Sequence, residues 1–144
     1  MGLNTEITCF DDLLRAAHER RERLLLVFAG AELPADATPE QRARFAQGEG
    51  GALVPLMCVD KPPEELASFD ALRRESQQFE APGQPWRLVF AAALAGPPGQ
   101  APSEGDVDRA LHRMVDAVKA GTVSAYLPFN REGFPVRLGQ GNAE

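Results

Sequence analysis

A thiol and two carboxylates stand near one another at Cys58, Asp60 and Glu64, the residue types from which a nucleophile and its general base are drawn. Cys58 sits in the apolar run 52–59 between Met57 and Val59, with no adjacent cation or histidine to stabilise a thiolate. It reads as an inert buried thiol. Asp60 closes the same run, where a strand-end carboxylate can line a cleft. Placed before Lys61-Pro62, it also has the makings of a turn residue. A small enzyme or metabolite-binding protein with a cleft around these three residues is the second functional expectation.

Other candidate groups are explained by packing or solvent. The loop GEGG at 48–51 is rich in glycine, but a strand follows it instead of a helix, and neither GxGxxG nor Lys-Ser/Thr completes a phosphate cradle. His112 and Asp116 are four apart, yet Val107, Leu111, Val115 and Val118 form the apolar stripe of that helix and leave the pair on its polar side. His18 and Glu22 share this spacing within a charged run. HExxH, GxSxG, SxxK and CxxC are all missing from the sequence. No metal, disulfide framework or cofactor is expected.

With 144 residues the chain has the length of one domain, read here as 1–138 followed by a flexible tail at 139–144. Its composition, 44% hydrophobic and 25% charged, is that of a globular protein. A net charge of −6 repels nucleic acid and anionic lipid, so neither is an expected partner. The start, MGLNTEITCF, has neither the basic region nor the apolar stretch of a secretory signal, and the runs 24–29 and 88–95 are too short to span a bilayer. A cytoplasmic location is the expectation.

Capping and periodicity place the elements. Thr8 caps a first helix with Phe10, Leu13, Leu14 and Ala17 on one face, and residues 24–33 form a central strand. Thr38-Pro39-Glu40-Gln41 opens a short helix, stopped by Gly48. A strand follows at 52–59, with Pro55 marking it as an edge or a bulge. Ser68 caps a helix with Phe69, Leu72 and Phe79 inside, and residues 86–95 form a middle strand. Ser103 and Gly121 bound the longest helix.

The last segment alternates. Val123, Ala125, Leu127 and Phe129 turn inward, with Ser124 and Tyr126 outward, and a four-residue loop 130–133 pairs Phe129 with Phe134, Leu127 with Val136 and Ala125 with Leu138. Pro128 then faces Pro135, and the tip of this hairpin projects beyond the sheet. Tyr126, Pro128, Arg131 and Pro135 are residue types that anchor contacts between proteins. The fold class is α+β: about four helices on a mixed sheet of about five strands, ending in an antiparallel hairpin.

Taken together, RLLLVFAGAELPADATPEQRARF, GGALVPLMCVDKPPEEL and SAYLPFNREGFPVRLG resemble a small family of short bacterial proteins, sometimes labelled "ribonucleotide reductase subunit alpha". The resemblance spans most of the chain. A reductase large subunit needs a barrel several times this length, a radical cysteine and a redox pair, whereas this chain has two distant cysteines and a tail, GQGNAE, without any. It is not that catalyst. The first functional expectation is a non-enzymatic interaction or regulatory module that binds another protein or itself. An accessory role in nucleotide metabolism is what the label alone implies.

Overall fold

Seven residues in succession, Leu24 to Gly30, are buried in strand β1 (Arg23–Glu32), so both of its faces are covered. In this computed structural model, which describes residues 7–47 and 50–137, β1 is flanked by β2 (Ala52–Lys61) and β3 (Leu88–Leu94). A short β4 (Leu127–Phe129) lies outside β3, giving the order β2-β1-β3-β4 with every pairing antiparallel. The α+β class holds. The sheet is purely antiparallel with four strands, not a mixed sheet of about five.

Alternation along β1 splits the core in two. Leu24, Leu26 and Phe28 face α1 (Phe10–Arg20), the 3-10 turn Pro63–Glu65 and α3 (Phe69–Gln77). Leu25, Val27 and Ala29 face α4 (Glu104–Ala120), whose buried residues are Val107, Ala110, Met114 and Val118. Leu111 and Val115, from the expected stripe, are half-buried at its margin. The fully buried rings of Phe10, Trp86 and Phe129 each contribute roughly 2–3 kcal/mol of transfer free energy on the first face. Phe10 meets Phe69 and Phe129 with centroids 5.3 Å apart in each pair.

Local chemistry sets the helix ends. Thr38 and Gln41 form a reciprocal capping box ahead of α2 (Pro39–Ala46). Ser68 and Ser103 accept from Ala71 and Asp106 N–H. Cys9, not Thr8, occupies the cap position of α1, and the Thr8 hydroxyl and N–H both donate to Asp12 Oδ2, at 2.6 and 2.9 Å. Neighbouring Asp11 accepts from the Phe69 N–H at 2.9 Å, tying the starts of α1 and α3 together. The expected stop at Gly48 lies outside the described residues, as do Leu138 and the tail 139–144.

Pro55 has the expected role, since among the described residues β2 pairs with β1 alone and its register shifts opposite Phe28/Ala29. Phe79 does not: it is 69% exposed, because α3 ends at Gln77 and the helical period no longer carries it inward. Ser76 holds the inner position instead and accepts from Trp86 Nε1 at 2.8 Å.

The hairpin differs by one residue. Asn130 Oδ1 accepts from the N–H groups of Glu132 and Phe134, and Gly133 adopts φ +87°, producing a three-residue loop closed between Asn130 and Phe134. Phe129 therefore pairs with Pro135, and Val136 N–H donates to the Pro128 carbonyl at 3.1 Å. A one-residue slip exchanges faces, so Phe134, expected inside, is 55% exposed. Residues 122–126 turn instead of extending: Tyr126 N–H donates to the Val123 carbonyl, Ala125 is exposed, and Tyr126 packs against the α4 cluster. The expected fifth strand shrinks to a single bridge at Pro135, whose ring supplies no N–H for a ladder.

Candidate functional site

The three residues of the expected cleft line neither of the hollows described below. Cys58 is exposed on the edge strand, correcting the expectation of a buried thiol. Its neighbours Met57 and Val59 pack against the first core cluster, and alternation turns the Cys58 side chain to the opposite face of the strand. Asp60 is paired with Arg23, its Oδ2 lying 2.7 Å from Nε and 2.6 Å from Nη2. Both guanidinium contacts fall on that one oxygen, a charge-assisted pair that holds the carboxylate against β1. Glu64 is exposed on the 3-10 turn. His112, Asp116 and His18 are exposed, and Glu22 is half-buried. Among the described residues no group of three metal-ligating side chains forms, and no helix is long and apolar enough to cross a membrane.

Arg131, expected to reach outward from the hairpin, turns back onto the body. Its Nη1 donates to Glu80 Oε2 at 2.7 Å and to the Trp86 carbonyl at 2.8 Å, with Cζ 4.5 Å from the Trp86 ring centroid. The Arg131 carbonyl in turn accepts from Arg73, and the Gly133 carbonyl from the Phe10 N–H at 2.7 Å. Burial acts to raise the Glu80 carboxyl. The Arg131 hydrogen bond, the Trp86 N–H and the Arg131 charge outweigh it and hold the group below its usual range. The tip is fastened against α1 and α3 and does not project. What remains outside is Leu127, 40% exposed, with Phe134 and Pro135, while Tyr126 and Pro128 are half-buried.

A concave region lies elsewhere. Strand β1 runs on past the last paired residue of β3, and a groove of about 390 Å³ opens beside its overhang. Gly30, Glu32, Phe45, Leu56, Gln84 and Arg87 are among its lining residues. Leu56 packs over Gly30, where a Cβ would come within 3.1 Å of Leu56 Cδ1. Arg87 stacks on Phe45 with Cζ 4.4 Å from the ring centroid, and its Nη2 donates to the Phe45 carbonyl at 3.3 Å. A second hollow of about 360 Å³ shares Leu33 in its lining and is bordered by Gln41, Arg44 and Gly51.

Sequence reasoning passed over this groove. Its one signal was a cation, Arg87, directly after Trp86 at the start of an otherwise apolar run. Phe45 gave none, since a lone aromatic on a short polar helix has no periodic partner. No family model, curated protein or solved structure matches the chain.

Proposed function

We propose that this chain is a cytoplasmic, non-enzymatic interaction module that meets a protein partner through the outer edge of its hairpin. It belongs, on this reading, with the short bacterial proteins its segments resemble, and nucleic acid is not among its partners. The observation that carries the reading is the exposure of Phe134 and Leu127, at 55% and 40%, on a hairpin whose loop is fastened to the body by Arg131. Apolar side chains held out from a rigid support lose little conformational freedom on binding. Tyr126, Pro128 and Pro135 flank them, and the aromatic pair Tyr126 and Phe134 are of types enriched in protein contacts. That Cys58, Asp60 and Glu64 line neither hollow, with the Asp60 carboxylate held by Arg23, supports a role other than turnover.

The test is recovery of a stoichiometric partner from native lysate by the tagged chain, compared with Phe134→Asp and Leu127→Asp. Both variants are expected to lose that partner and to keep the parent's melting temperature. Undiminished recovery by both would overturn the reading. Light scattering at rising concentration separates self-association, in which the same variants would abolish a dimer.

A further inference from the structure

The proposal concerns the groove beside β1 and goes beyond the hairpin reading. The carbonyl of Ala29 accepts from the Arg87 N–H at 2.8 Å, so the polar groups of Ala29 point toward β3. Antiparallel ladders alternate. The N–H and C=O of Ala31, two residues on, therefore turn to the same side, where β3 has already ended at its register partner Leu88↔Ala29. The overhang presents a short stretch of strand border facing the groove, lined on its opposite wall by Gly83 and Gln84.

Arg87 stands at the mouth of this border. Stacking on Phe45 and the bond from Nη2 fix the plane of its guanidinium, and among the described residues it has no carboxylate partner. A half-buried guanidinium with its plane set and donors to spare is a preorganised receptor for a planar anion. Glu32, on the rim, disfavours multiply charged anions. The apolar surfaces of Leu56 and Val54 in the lining suit a short aliphatic body.

We propose that this groove binds a small monocarboxylate carrying an amide, of the kind exemplified by an N-acylated aliphatic amino acid. The carboxylate pairs with Arg87, the amide lies along the β1 overhang at Ala31, and the side chain rests against Leu56. The volume, about 390 Å³, is within the range of small-molecule sites.

The probe is N-acetyl-valine, titrated into the ¹⁵N-labelled chain up to about 20 mM, a ceiling set by the weak affinity expected of so small a ligand. Saturable amide shifts are expected at residues 30–33, 45, 83, 84, 86 and 87. The uncharged N-acetyl-valinamide should bind about tenfold more weakly, reflecting loss of the charge-assisted pair. Arg87→Gln should abolish the saturable response, and Arg87→Lys should weaken it, since lysine keeps the charge without the fork. Absence of saturable shifts in the parent chain, or equal binding of acid and amide, would overturn the proposal without reference to any variant. Shifts that map to the hairpin instead of the groove would also overturn it.

Discussion

The guanidinium of Arg131 lies over the indole of Trp86, Cζ 4.5 Å from the ring centroid, while its Nη1 bridges the Trp86 carbonyl and Glu80. A residue 45 positions away in sequence thus joins the hairpin to the segment that enters β3. Glu80 completes the unit by accepting the Trp86 N–H at 2.9 Å. Arg131→Met is expected to lower the unfolding free energy by about 2 kcal/mol, because it removes the stacking and leaves a shielded carboxylate unpaired. Urea unfolding at neutral pH measures this.

The same carboxylate makes stability depend on acid. With its folded value depressed below that of the unfolded chain, Glu80 supplies stability that is complete above the ordinary glutamate range and is lost as pH falls through the folded value. Asp12 has the same sign: the Thr8 hydroxyl and N–H bonds, with Arg15 and the Cys9 N–H, hold it low against the opposing effect of desolvation. Urea midpoints of the parent are therefore expected to drop between about pH 5 and pH 3, and Glu80→Gln to flatten that drop. An unchanged slope in the variant would remove Glu80 from the account.

Ser76→Ala should cost about 1–3 kcal/mol, more than an alanine substitution in a helix otherwise would. The Ser76 hydroxyl accepts from Trp86 Nε1 and donates to the Arg73 carbonyl at 2.7 Å. Without it a fully buried indole N–H has no acceptor. The double variant Ser76→Ala/Trp86→Phe, in which the orphan donor is gone, should be destabilised by less than the two single changes added together.

Gly133→Ala tests the loop that sets the hairpin register. At φ +87° an L side chain is strained, and its Cβ would approach the Phe69 ring to 2.8 Å. A loss of about 2 kcal/mol is expected by thermal unfolding. Gly83→Ala, also at positive φ but in open space, should cost only about 1 kcal/mol.

Cys58 should react with a thiol reagent in the folded state, and half-buried Cys9 more slowly. Timed labelling followed by peptide mass analysis distinguishes the two. A Cys58 that labels only with urea present would contradict its exposed position.

The elements were legible because their signals are local. Thr38 with Gln41, Ser68, Ser103 and Gly121 each end a helix where the sequence says they should, and the seven-residue apolar stretch of β1 announces a strand covered on both faces. Pro55 disclosed an edge through the donor it lacks. The hairpin register was lost on one residue: whether Asn130 belongs to the loop or closes it depends on its side chain capturing Glu132 and Phe134 N–H, which alternation cannot report. The candidate site was missed for a related reason. Arg87 and Phe45 are 42 residues apart, and only the premature end of β3 makes a hollow between them. Cys58 was misplaced because burial of a strand residue depends on what lies beyond the edge, not on its apolar neighbours.

The break in β2 has one more effect. Since Ala29 directs its polar groups to β3, the pair Ala29↔Pro55 is one that shares no ladder bond, and the ring nitrogen of Pro55 faces outward. An incoming strand from a sister molecule would find a missing donor and a skewed outline halfway along a ten-residue margin. Edge-to-edge docking of a second copy along this margin is thereby discouraged at its midpoint.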